Sequence, residues 1–135
     1  MAKYMLDLET AVALLRRRDE GLLGRLEKTA PSDICISAVT HSDLQFGAVM
    51  SRKSSGDREA LELFLRYVGV AAYPEEAGEH YGEIRTVLEL GGEVFEPHEL
   101  LVVAHARCMG LVLVTRRVRE LRGVKGMRVE NWAAA

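Results

Sequence analysis

The chain has 135 residues, is 48% hydrophobic and carries a formal net charge of -2, with a pI near 6.1. This length predicts a single domain over residues 1–135 that can bury about two-thirds of the surface of its unfolded chain. The near-neutral charge excludes a bulk positive field for nucleic acid, so a basic surface that binds a polyanion must be local.

Cysteine usage and hydropathy limit where the protein is expected to work. Cys35 and Cys108 lie in apolar stretches, and no metal or redox spacing links them. No run approaches the roughly 18 apolar residues of a membrane span, and the first residues lack the apolar core of a signal peptide. We therefore expect a cytoplasmic protein with no membrane partner.

Amphipathic helices are predicted throughout the chain, each with a recognisable start. Capping side chains, acidic first turns and a proline at the first helical position mark these starts. Glycines mark two of the ends, at Gly91 and Gly110. The predicted starts are Asp7, Asp19, Ser37, Asp57, the acidic pair at 75–76, and Pro97.

Four short apolar runs and the segment 128–130 are predicted strands. The run at 111–115 is continuously apolar, as expected of a central parallel strand covered on both faces. Helices of ten or more residues between strands imply right-handed crossovers. The predicted fold is α/β, a three-layer α/β/α sandwich with a mostly parallel sheet. Its predicted strands are 4–6, 34–36, 68–72, 111–115 and 128–130.

Four acidic residues are candidates for a metal site. Asp7 follows the first strand directly, at the edge of an α/β sheet where ligands bind. Asp43, Glu99 and Glu120 occur where later segments should return to that edge, and such an acidic pocket suits a divalent metal. The alternative is structural, because carboxylates in first helical turns are stabilised by about 0.3–1 kcal/mol without any metal.

The basic and histidine residues leave similar alternatives open. Arg116 and Arg117 begin a basic group that is either a solvated face or a rim for phosphates, and either arginine could pair with Glu120. His98 and His105 are candidate ligands or proton shuttles, although His105 is expected to pack or cap instead. No hydroxyl has a base at a spacing typical of an activated nucleophile, and no glycine-rich phosphate loop follows a strand.

Several segments fall in register with one known family. The chain resembles a PIN-domain ribonuclease of the VapC toxin type over nearly all of its 135 residues. The resemblance implies a PIN-like fold and a metal-dependent endoribonuclease that uses Mg²⁺ or Mn²⁺ and cuts structured RNA such as tRNA. It also implies a homodimer, silenced by a VapB-type antitoxin whose C-terminal segment lies in the active-site groove. The matching segments are 4–7, 36–44, 97–106, 113–115 and 129–132.

Carried over position by position, the resemblance makes four acids the catalytic and metal-binding set. Asp7 matches the family's first acid and Glu120 a fourth, whereas Asp43 stands for the usual glutamate and Glu99 for the usual aspartate. Glu9 is an additional candidate ligand.

Other positions depart from the family pattern. Leu8 and Glu9 replace a threonine and an asparagine, and Arg116 and Arg117 replace polar residues after the retained Thr115. We expect these arginines to bind RNA. The rival hypothesis is a catalytically impaired PIN domain that keeps its dimer and antitoxin binding, with one arginine paired to the carboxylates in place of metal. A small-ligand-binding α/β module is a more remote third.

Overall fold

The computed structural model of the chain describes residues 2–134, and a five-stranded sheet forms the centre of that part. The strand order is β3-β2-β1-β4-β5, and every neighbouring pair is parallel. The predicted α/β class with a parallel sheet is therefore confirmed. The strands are β1 (Tyr4–Leu6), β2 (Ile34–Ser37), β3 (Gly69–Ala71), β4 (Val112–Val114) and β5 (Arg128–Glu130).

Seven α-helices connect these strands within the described residues. The predicted caps are confirmed at Asp7, Asp19 and Ser37, whose side chains each accept a backbone N–H of the following first turn. Gly110 ends a helix in the left-handed region, at a φ of 67°. The helices are α1 (Leu8–Arg16), α2 (Glu20–Glu27), α3 (Ala38–Met50), α4 (Ser54–Tyr67), α5 (Ala77–Leu90), α6 (Pro97–Met109) and α7 (Val118–Leu121).

The sheet is covered on both faces, which gives the three predicted layers. Met5 and Leu113 pack with α5 and α6 in one core cluster, and Leu6 and Val114 pack with α1 to α4 in the other. Successive residues of a strand point to opposite faces, so β1, β2 and β4 each supply both cores. This double coverage explains why these three strands read as continuous apolar runs.

One prediction of detail is wrong, and one short helix was not predicted. The helix predicted from Asp57 begins one turn earlier, at Ser54, because Asp57 lies in the first turn and donates its own N–H to the Lys53 carbonyl. The strand predicted at 111–115 is confirmed as an interior parallel strand, because β4 lies between β1 and β5. The short helix α7 was not predicted, since four residues are too few to show a helical period. Of the helices described in residues 2–134, none is long and apolar enough to span a membrane.

Candidate active site

The carboxyl edge of the sheet is fixed by contacts between β1 and β4. Leu6 and Val114 are register partners, and the Asp7 N–H donates to the Val114 carbonyl at 3.1 Å. The Thr10 hydroxyl donates to the same carbonyl at 3.2 Å. These bonds hold the start of α1 against the end of β4, so the residues that follow both strands lie together at the edge where α/β proteins bind ligands.

A cleft of about 950 Å³ opens at this edge, between α1, α3 and the start of α6. Three of the four predicted acids line it, and Glu120 does not. Apolar side chains from the same three helices form much of its wall. Its lining residues are Asp7, Leu8, Glu9, Val12, Ala13, Arg16, Thr40, Asp43, Phe46, Glu96, Pro97, His98, Glu99, Val102 and Arg116.

Asp7 is held in the cleft by its role in the helix. Its Oδ1 accepts the Thr10 backbone N–H at 2.9 Å, and the residue is only 8% exposed. The non-helical backbone that a capping residue adopts places the side chain between the end of β1 and the first turn of α1. The carboxylate therefore lies in the cleft with little freedom to rotate.

Asp43 is oriented by His98, which the sequence offered as a candidate ligand or proton shuttle but paired with no other residue. The Nδ1 of His98 lies 3.0 Å from both oxygens of Asp43 and joins α6 to α3. The two residues are 55 positions apart, so local spacing carried no signal of the pair. A histidine whose Nδ1 is bonded to a carboxylate presents its other ring nitrogen to the surroundings.

Glu99 and Glu120 are joined by one arginine. Arg117 donates from Nη1 to Glu99 at 3.1 Å and from Nε to Glu120 at 2.8 Å. Its guanidinium carbon lies 3.6 Å from the centroid of the Phe95 ring. Glu99 also accepts the backbone N–H of Glu96 at 3.2 Å, which closes a capping box at the start of α6.

Arg117 and Glu120 shift each other's pKa. Burial lowers the pKa of Arg117, but hydrogen bonds and charge from Glu120 and Glu99 outweigh it and leave that pKa raised. The hydrogen bond from Arg117 is the main reason why the pKa of Glu120 falls below its ordinary value of 4.5. Arg117 and Glu120 are consequently both charged at neutral pH, with Arg117 as the counter-charge of Glu120.

Arg116 is more exposed than Arg117 and is less firmly paired. Its side chain is 50% exposed, lines the cleft and pairs loosely with Glu9 at 3.6 Å and Asp19 at 3.5 Å. Exposed pairs at such distances contribute little to stability. Arg116 is thus available to a ligand at the mouth of the cleft, whereas Arg117 is held by two carboxylates and a ring.

Buried polar side chains lie beneath the acids. The Ser37 hydroxyl bonds to Nδ1 of His105 at 2.9 Å, and His105 is fully buried, so its predicted packing role is confirmed. Burial lowers the pKa of His105, and the nearby backbone of Ala72 offsets this lowering in part. The Thr40 hydroxyl lines the cleft, is fully buried and has no hydrogen-bond partner among residues 2–134.

The donors on one side of the cleft fit a hard divalent cation. In the described part of the chain, no three acidic, histidine or cysteine side chains converge on one point. Mg²⁺ does not require such a cage, because it is commonly held by one or two carboxylates together with waters and substrate phosphates. Asp7, Asp43 and the partnerless Thr40 hydroxyl supply oxygen donors of that kind. The metal and catalytic roles of the four acids and of Glu9 stay predictions.

Comparison with known proteins gives full-length relatives. The chain is 32% identical over 132 residues to ribonuclease VapC2 of Haemophilus influenzae, a match that covers 98% of this chain and 99% of the relative. It is also 32% identical, with the same coverage, to the tRNA(fMet)-specific endonuclease VapC of Salmonella typhimurium. No protein-family model matches the chain.

Solved structures agree with this result. The chain superposes on DNA-bound VapBC from Salmonella typhimurium with a TM-score of 0.87 and 32% identity, covering 98% of this chain and 100% of the other. VapBC2 from Rickettsia felis bound to a promoter DNA fragment gives a TM-score of 0.86 with 28% identity, covering 96% and 98%. Sequence and fold therefore identify the same set of relatives.

Proposed function

The chain belongs to the VapC family of ribonucleases, and we propose that it is the toxin of a VapBC-type pair that hydrolyses structured RNA with the help of Mg²⁺ or Mn²⁺. One observation carries the proposal: Asp7, Asp43 and Glu99 line a single cleft at the carboxyl edge of the parallel sheet. The name of the Salmonella relative supports tRNA as the substrate. We assign the activity to the cytoplasm because tRNA occurs there.

Two acids of the cleft are the proposed ligands of the metal ion. Asp7 and Asp43 would hold the divalent ion, which when bound lowers the pKa of a water and offsets negative charge on the phosphate. Asp7 is fixed by the cap of α1, and His98 holds Asp43, so neither carboxylate needs to reorganise. Such preorganisation of charged groups is a major source of rate enhancement.

Arg116 is the proposed contact to RNA phosphates. A protein with a net charge of -2 needs a local cation to hold a polyanion beside its acids, and Arg116 is half exposed at the cleft. Arg116→Gln should weaken RNA binding and reduce the slope of log affinity against log salt by about one unit. The guanidinium of Arg117 is bonded to Glu99 and Glu120 instead. RNA contact by Arg117 therefore stays a prediction.

A VapB-type antitoxin is the proposed protein partner, as in the VapBC complexes that this chain resembles. The cleft combines apolar walls with charged groups of both signs, which suits an extended peptide segment that would exclude RNA. Phe46 lies at the cleft with 66% of its surface exposed, and Val49 and Met50 continue an apolar strip along α3. Exposed apolar residues on α5, such as Leu90, support the proposed homodimer.

Arg117 favours a second candidate, a catalytically impaired PIN domain that retains its antitoxin and its dimer. The arginine occupies two of the four acids, as that hypothesis requires. In this case the protein would bind RNA and antitoxin but would not cut. The two candidates differ in one measurable property, which is metal-dependent cleavage.

Incubation of the purified, antitoxin-free chain with total tRNA distinguishes them. Discrete fragments should form with Mg²⁺ or Mn²⁺ and disappear with a chelator or in Asp7→Asn. Asp33→Asn is the matched control, because Asp33 pairs with Lys3 and does not line the cleft. Cleavage that survives Asp7→Asn would refute the assigned site. No cleavage by the parent chain with either metal would support the impaired domain.

A further inference from the structure

Arg117 lies between Glu99 and Glu120 and bonds to both. We infer that its guanidinium takes the place of a second divalent ion between Glu99 and Glu120, so that the chain binds a single such ion. The inference rests on the proposed function, which assigns that single ion to Asp7 and Asp43. It concerns only the Glu99–Glu120 pair and the arginine between them.

The contacts of Arg117 fix its guanidinium in place. Two different nitrogens donate to two different carboxylates, at 3.1 and 2.8 Å, so the planar fork is held at both sides. The face of the same group stacks on Phe95 at 3.6 Å. The Arg117 backbone N–H donates to the Thr115 hydroxyl at 3.0 Å, which anchors the residue to the end of β4. A lysine could not reproduce this arrangement, because it lacks the planar fork.

Burial distinguishes this group from ordinary surface ion pairs. The side chains of Arg117, Glu99 and Glu120 are only 24%, 29% and 18% exposed. Arg119 provides the contrast: it approaches the same Glu120 at 3.9 Å, but its side chain is 96% exposed. Exposed pairs of that kind contribute little, whereas a forked and stacked arginine is a strong partner for carboxylates.

A divalent ion at this position would have to displace Arg117 from both acids. The displaced guanidinium would remain close, because the residue is anchored through Thr115, and two like charges would then share one site. Arg117 has no acceptor and cannot lose its charge in a protein, so it cannot become a ligand itself. The Asp7 and Asp43 side of the cleft has no such competitor, as Asp43 pairs only with a histidine in the described residues.

The test is to count bound Mn²⁺ per chain. The metal-free full-length protein is titrated with Mn²⁺, and free ion is measured by its electron paramagnetic resonance signal, which needs no RNA and no activity. The parent chain should bind one Mn²⁺, and Arg117→Asn should bind two. Arg119→Asn is the matched control and should stay at one. Arg117→Lys should also stay at one, because the positive charge remains beside the acids.

The outcomes separate this inference from the proposed function. One Mn²⁺ in both the parent and Arg117→Asn, or two in the parent, would overturn the inference and leave the proposed metal site intact. No Mn²⁺ in the parent would overturn both. Glu120→Gln provides a check that does not depend on the folding of Arg117→Asn: its affinity for the single ion should match that of the parent, and a tenfold or larger loss would contradict the inference.

Discussion

Asp7 performs two tasks that substitution can separate. Its Oδ1 caps α1 through the Thr10 N–H at 2.9 Å, and its charge is the proposed support for a divalent ion. Asparagine is as good an N-cap as aspartate, whereas alanine loses the cap at a cost of about 1 kcal/mol. For a chain of this length, that difference corresponds to about 3–5 °C in Tm. The change in charge is common to both variants and cancels in their comparison.

Thermal unfolding in a chelator and calorimetry with Mn²⁺ measure the two tasks independently. Asp7→Asn and Asp7→Ala should both lose Mn²⁺ binding, but Asp7→Ala should melt about 3–5 °C below Asp7→Asn. Asp19→Asn should keep Mn²⁺ binding, because Asp19 caps α2 and does not itself line the cleft. Equal melting temperatures for the two Asp7 variants would refute the capping argument. Undiminished Mn²⁺ binding by Asp7→Asn would refute the ligand role.

Three further predictions concern pH and packing. The pKa of Glu120 is lowered, mainly by Arg117, so its contribution to stability is complete above its ordinary value of 4.5 and is lost as pH falls through the lower folded value. In Arg117→Asn, the unfolding free energy should therefore fall less steeply as pH is lowered below 4.5. The same fall as in the parent would contradict this prediction. Burial lowers the pKa of His105, so stability should be complete above 6.5 and should fall at lower pH as the unfolded chain takes up the proton first. Denaturant titrations at several pH values give the unfolding free energy of His105→Gln, which should change less with pH below 6.5 than that of the parent. An equal pH dependence would exclude His105 as its source. Gly21→Ala should cost about 1–3 kcal/mol, because the added Cβ would lie 2.6 Å from the backbone nitrogen of Ala134. If chemical denaturation gives a change in unfolding free energy within about 0.5 kcal/mol, the backbone near Ala134 moves to accommodate the added methyl group.

The caps and strands were predictable because their causes are local. The Asp7, Asp19 and Ser37 side chains bond to amides two or three residues ahead, so each cap is complete within one turn of sequence. The apolar strands were visible because both faces of the sheet are covered. The start of α4 was misplaced because an acidic residue stabilises the N-terminal end of a helix both at the cap and within the first turn. The sequence alone does not distinguish these two positions for Asp57.

The site was less predictable because its pairs are distant in sequence. No local period connects Asp43 with His98, and only the packing of α3 against the start of α6 brings them together. Adjacent arginines have different environments: Arg116 is half exposed, and Arg117 is stacked on Phe95. The sequence could therefore offer both roles for these arginines, but it could not assign them.

The proposed reaction is hydrolysis of RNA by water in the cleft around Asp7. It is tested by cleavage of one end-labelled tRNA in ¹⁸O-labelled water, with Mg²⁺ or Mn²⁺, by the parent chain and by Asp7→Asn at equal folded fraction. Fragments should form with the parent alone, and their linear phosphate ends should contain ¹⁸O from the solvent. Cyclic phosphate ends without ¹⁸O, or equal cleavage by Asp7→Asn, would rule this reaction out.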